Sequence, residues 1–316
     1  MDRSIKWWIA LAGGCVIVVA LVVVGTQVGD PQRPAYADPP APAAFGAEMM
    51  DGPADPQTPQ GLPGEESTPT PAAAPEMPAQ PTQRAPIVMI DPGHGGSEVG
   101  AVHRNYAGAY DVVEKNVNLS IGLRLAALLE ADGYAAVMTR NSDDQVNEPP
   151  VDRNGDGRLN TRDDLQARVD RANEAKADLF VSIHNNGSSS PWESGTEVWY
   201  DPLRPFGEKN LALARLAQSS IIEQVALAGY RSIDRGIKDD TNYRIFNGRA
   251  FNLFVLGPAR GNSFKRTATE MPGILGESLF VSNDADAAFL RLESIQQGIA
   301  EGYRAAISAY FQMYAE

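Results

Sequence analysis

Fourteen of the 23 prolines in this 316-residue chain fall between Thr26 and Ala85. That stretch is poor in aliphatic side chains, so it has too little apolar surface to offset the entropy of ordering its backbone. It reads as a Pro/Ala-rich disordered linker over residues 26–85. Eight acidic residues against two arginines, Arg33 and Arg84, make it negative. At full stretch, polyproline-like chain of that length spans on the order of 190 Å. A globular fold is therefore confined to residues 86–316.

Ahead of the linker, Trp7 to Gly25 is an unbroken apolar run. As a helix it reaches roughly 28 Å, close to the hydrocarbon thickness of a bilayer. Arg3 and Lys6 precede it, which places the amino terminus in the cytoplasm and the remainder outside. Residues 1–25 thus read as a membrane anchor. The alternative is a signal segment, with Ala35-Tyr36-Ala37 resembling a cleavage site and the protein secreted after the cut. Both readings are extracytoplasmic. Cys15, the single cysteine, falls inside the run, so no intramolecular disulfide framework is available. The net charge of -13 speaks against nucleic acid as a partner.

From Pro86 onward, apolar runs alternate with helical stripes. Ile87–Ile90, Tyr134–Met138, Leu179–Ile183, Glu197–Tyr200, Asn252–Leu256 and Gly273–Leu279 are strand candidates. Val117, Ile121, Leu125, Leu128 and Leu129 form a stripe over Glu114–Ala131, stopped by Gly133. Helices are also expected over Asp164–Ala175, Leu211–Ala228 and Asp284–Phe311. The alternation predicts a single α/β domain.

His94 and His184 each follow an apolar strand, where ligands collect in α/β sheets. Two histidines supply part of a catalytic zinc site, and Glu114, opening the first helix, is the candidate carboxylate ligand. DPGHGG also has the look of a phosphate-cradling loop, but it lacks the Lys-Ser/Thr ending.

The blocks IVMIDPGHGG, EKNVNLSIGLRLAALLEADGY, VMTR, LQARVDRANEAKADLFVSIHNN and MPGILGESLFVSN, in this order, resemble the zinc-dependent N-acetylmuramoyl-L-alanine amidases of the family-3 type. The resemblance implies an α/β catalytic domain whose mixed sheet is flanked by helices. It implies His94, Glu114 and His184 as Zn2+ ligands and Glu277 as the catalytic general base and acid. The implied substrate is peptidoglycan, cut between N-acetylmuramic acid and L-alanine of the stem peptide. Two departures stand out. Leu279 replaces the usual glycine two residues after the glutamate, and Gly276 replaces a larger aliphatic residue. A wall-binding module without turnover and a zinc peptidase acting within the stem are the competing readings.

Two further segments carry expectations. Residues 152–163 have EF-hand loop spacing, with Asp152, Asn154, Asp156, Arg158 (through its carbonyl), Asn160 and Asp163 as candidate Ca2+ ligands. An Asp/Asn/Gly turn without an ion is the alternative. Residues 239–266 read as an insertion that shapes the cleft or covers it as a regulatory lid. Asn186, beside His184, is a candidate substrate contact, and His103 a loop residue near the cleft mouth. Peptidoglycan and, through residues 7–25, the cytoplasmic membrane are the expected partners; nothing in the sequence identifies a protein activator.

Overall fold

The computed structural model describes residues 84–315, apart from 247–248 and 262–264. The expected membrane segment and linker lie outside the described residues. Among the described residues, no helix is long and apolar enough to cross a membrane.

A six-stranded mixed sheet forms the centre. Its strands are β1 (Ile87–Pro92), β4 (Ala135–Met138), β5 (Leu179–Asn186), β6 (Thr196–Tyr200), β7 (Asp234–Asp239) and β10 (Gly273–Phe280), in the spatial order β4-β1-β5-β10-β6-β7. The first four in that order are mutually parallel. β6 runs antiparallel to β10, and β7 follows β6 in parallel. Two ribbons lie outside the sheet: β2 (Val102–Arg104) with β3 (Tyr110–Val113), and β8 (Arg244–Phe246) with β9 (Arg249–Phe251).

Strand alternation sends Val88, Ile90, Leu179, Val181, Ile183 and Ile274 to one face, where they meet α1 (Glu114–Ala131), α3 (Gly207–Leu227) and α5 (Glu293–Met313). The predicted stripe of α1 is buried at Val117, Ile121, Leu125 and Leu129. Met89, Phe180 and Leu275 point to the other face and pack with Val169 and Ala172 of α2 (Thr161–Glu174) and with Val255, Leu256 and Met271. Both faces are covered, so β1 and β5 read as continuous apolar runs.

Several elements differ from expectation. α2 starts three residues early because Asn160 caps it: its side chain accepts the Arg162 N–H at 3.0 Å, while Asp163 accepts the Asn160 N–H at 2.8 Å. The expected helix Asp284–Phe311 is two helices, α4 (Asp284–Leu290) and α5. Asn283 caps the first, and extended Leu292 precedes the second. Asn252–Leu256 is no strand. Its carbonyls are taken by guanidinium groups, Arg266 Nη1 reaching Leu253 O at 3.0 Å and Arg204 Nη1 reaching Leu256 O at 3.0 Å. His103 belongs to β2 rather than a loop; it pairs with Asp111 at 2.6 Å and Asp284 at 3.2 Å.

The small residue at 276 has a packing cause. A Cβ there would collide with the hydroxyl of Tyr303, a fully buried side chain of α5. Gly276→Ala is expected to lower the unfolding free energy by about 1–3 kcal/mol. Adding Tyr303→Phe should recover part of that loss, as read by urea denaturation. Unchanged stability of the single variant would show that the contact is relieved elsewhere.

Candidate metal centre and proton carrier

β1 ends at Pro92, and the chain turns through Gly93 and His94. His94 has φ +63°, a left-handed conformation uncommon for a residue with a side chain. Two arginines hold the turn. Arg168 of α2 donates to Pro92 O at 2.9 Å and His94 O at 2.7 Å. Arg140, just after β4, donates to Pro92 O at 2.8 Å and Gly93 O at 2.9 Å. A Cβ on residue 93 would run into the His184 ring, so glycine lets the turn pass over that imidazole.

Beneath the turn lies the Asp91 carboxylate, 1% exposed. It accepts from Thr139 Oγ1 at 2.7 Å, Ser182 Oγ at 2.7 Å and Arg168 Nη1 at 2.8 Å. Burial alone would raise its pKa; the Arg168 charge and these hydrogen bonds outweigh that and hold it below the usual carboxylate range.

Glu114 opens α1 with its carboxylate buried. Oε1 lies 2.9 Å from His94 Nε2 and 3.0 Å from His184 Nδ1. Oε1 also accepts Asn118 Nδ2 and the Asn185 N–H, both at 3.2 Å, and Oε2 accepts the Ala101 N–H at 2.8 Å. Burial opposes ionisation, but the two histidines outweigh it and hold Glu114 well below its ordinary value. His94 moves the other way. Burial would lower it, yet Glu114 and then Glu98 push it up to about 10.

His94, Glu114 and His184 each offer one ligand atom, all within 4.8 Å of one another. Among the described residues this is the group of three that could hold a metal ion. Two imidazole nitrogens and one carboxylate are a donor set suited to zinc with a fourth position left open. The other nitrogen of His94, Nδ1, is bonded to the Glu98 carboxylate, the kind of partner that fixes the ring of a ligating histidine.

Glu277 sits one strand over, in register with His184 on one side and Glu197 on the other. Its Oε2 is buried and, among the described residues, has no hydrogen-bond partner. Burial, then the Glu114 charge, push its carboxyl well above the ordinary range; His94 pulls against them and Glu197 adds to the rise. Asn186 also lies nearby, donating to Glu197 Oε1 at 3.0 Å.

Within the expected calcium loop the side chains bond the loop's own backbone. Asp152 accepts the Asp156 and Gly157 N–H groups, and Asn154 accepts the Asp156 N–H. Asp156 pairs with Arg162 at 3.1 Å and accepts the Arg158 N–H. Asp163 accepts the Arg153 and Asn154 N–H groups besides serving the capping box with Asn160. These bonds close the turn and the start of α2, and both readings of the segment, with and without a cation, accommodate them.

Glu98, Arg140, Arg168, Glu197 and Arg235 were not singled out from the sequence. A signal existed for two of them: Arg140 ends the block VMTR, and Arg168 interrupts the buried stripe of α2, where an unpaired charge is untenable.

A family model described as N-acetylmuramoyl-L-alanine amidase matches residues 88–309. N-acetylmuramoyl-L-alanine amidase AmiC of Escherichia coli is 34% identical, the match covering 76% of this chain and 57% of that protein. AmiC of Neisseria meningitidis is 30% identical over 72% of this chain and 53% of its own length. The chain therefore spans about half the length of these curated relatives. The solved N-acetylmuramoyl-L-alanine amidase AmiC2 of Nostoc punctiforme superposes with a TM-score of 0.50 at 28% identity, covering 72% of this chain and 97% of that one.

Removing Arg168 would leave Asp91 charged and buried without its counter-charge. Arg168→Met is expected to cost about 3–5 kcal/mol at pH 7 in denaturant unfolding. The folded pKa of Asp91 is depressed, so the pair's contribution is complete above the unfolded value of about 3.9 and is lost as pH falls through the folded one. The gap between parent and variant should narrow only on that acid side. A gap that is constant down to acid unfolding would place the loss in packing rather than charge.

Proposed function

Because this chain belongs to the N-acetylmuramoyl-L-alanine amidase family, we propose that it is an exported peptidoglycan hydrolase. Its substrate bond is the amide joining N-acetylmuramic acid to L-alanine of the stem peptide. The observation that carries this reading is the convergence of His94, Glu114 and His184, with Glu277 on the adjacent strand.

His94 Nε2, His184 Nδ1 and the Glu114 carboxylate would hold zinc. Zinc held there supplies Lewis acidity and brings the pKa of water down toward about 7. Glu114 and Glu98 compensate the ion's charge, and Glu98 fixes the His94 ring. Glu277 takes a proton from the attacking water on its unpartnered oxygen. It then gives that proton to the departing L-alanine nitrogen, which leaves poorly as an anion. The high proton affinity of Glu277 suits the second step, and its water-poor surroundings keep the proton in place.

Export would run through the apolar segment Trp7–Gly25, retained as an anchor in the cytoplasmic membrane or removed on secretion. The proline-rich stretch behind it would then carry the catalytic domain outward into the wall.

Digestion of purified peptidoglycan by the full-length protein, followed by mass spectrometry, tests the reading. Intact stem peptides with free L-alanine amines are the expected product, and a zinc chelator should abolish their release. Fragments cut within the stem would instead indicate a peptidase, and binding without release a wall-binding module. Glu277→Gln should retain zinc while losing at least about 100-fold in turnover. His94→Ala should lose both metal and activity, read by elemental analysis alongside the digestion.

A further inference from the structure

We propose that Glu197 is a positioning residue for this reaction: clamped by Arg235, it keeps the neighbouring Glu277 carboxyl turned toward the His94–Glu114–His184 group. The inference deepens the amidase reading and rests on it.

Glu197 lies directly opposite Glu277 in the antiparallel β6–β10 pair. Opposed residues project to the same face, with Cβ atoms about 4.5–5.5 Å apart. Glu197 is 5% exposed, yet its carboxylate is well supplied with donors. Oε1 accepts Asn186 Nδ2 at 3.0 Å from β5 and Trp199 Nε1 at 3.2 Å from β6. Oε2 accepts Arg235 Nε at 2.8 Å from β7. Arg235 is itself immobilised. Its Nη1 pairs with Glu193 at 2.7 Å and reaches Ser194 O at 3.3 Å. Its guanidinium lies 4.8 Å over the Phe280 ring.

These contacts fix the place of Glu197. Its two oxygens already accept N–H groups from Asn186, Trp199 and Arg235, so Glu197 offers Glu277 no donor. Nothing on the β6 side therefore competes for the buried, unpartnered Oε2 of Glu277. On the β5 side the in-register neighbour is His184. With the β6 side filled by these bonds, the side left to Glu277 is that of His184 and the metal-ligand group. A neutral side chain of the same shape carrying an N–H would reverse this, capturing the orphan oxygen and drawing Glu277 away.

Glu197→Gln makes that change in the full-length, zinc-loaded protein. Turnover is expected to fall about 10- to 100-fold, with KM held within about twofold. Zinc content should match the parent, and kcat is compared well below the variant's Tm, which the loss of the Arg235–Glu197 ion pair is expected to lower. A crystal structure of the variant should place the Glu277 carboxyl on the introduced amide. Arg235→Gln, which loosens Glu197 without adding a donor opposite Glu277, should lower turnover in the same direction. Unchanged kcat in both variants would overturn the proposal, as would a kcat loss that merely tracks lost zinc. If the unsubstituted protein releases no stem peptides, the amidase reading fails first and takes this inference with it.

Discussion

The Asp91 carboxylate is the interaction on which the site's framework depends. It is buried at the end of β1 and binds a side chain just after β4, one within β5 and one from α2. Those are the points where the chain must separate to form a cleft. Buried carboxylates are tolerated only with a counter-charge and satisfied lone pairs, so Arg168 is drawn into the interior. Once there, its remaining N–H groups reach Pro92 O and His94 O. The same ion pair therefore also holds the backbone of His94 in its left-handed conformation.

The reversal in the sheet gives the site its second half. In a wholly parallel sheet, only carboxyl ends of strands would meet at the cleft. Here β6 and β7 run against β10. Glu197, the second residue of β6, and Arg235, the second of β7, thus arrive at the edge where β5 delivers His184. His184, Glu277 and Glu197 consequently stand side by side across three strands, with Arg235 bonded to the last of them. Entry ends and exit ends of strands contribute to one polar row.

What could be read from the sequence follows the same division. α1 was legible because its apolar spacing matches one helical face, and β1 and β5 because both their faces are buried. His94, Glu114, His184 and Glu277 were legible through the blocks that contain them. β7 was not, since DRGIKD lacks an apolar pattern and owes its extension to pairing with β6. The 252–256 turn was mistaken for a strand because Val255 and Leu256 are buried, while the groups that satisfy its carbonyls lie at Arg204 and Arg266. For that turn the deciding partners are polar side chains remote in sequence.

Glu114 and Glu277 show how environment assigns chemistry to identical side chains. Glu114 is surrounded by two imidazoles, an amide and two backbone N–H groups. Every one of them favours the ionised form, so its proton affinity is low and it is fit to ligate a cation. Glu277 is as deeply enclosed at Oε2 but meets no donor there, and its neighbouring carboxylates oppose a further charge. Its proton affinity is high, in keeping with the proton-carrying role proposed for it. Such a divergence in proton affinity is what the proposed roles of ligand and proton carrier require. Exchanging the two environments would exchange the roles, whereas exchanging the residues would change nothing, since both are glutamate. The difference between the two glutamates therefore resides in their neighbours: His94 and His184 around one carboxylate, Glu197 opposite the other.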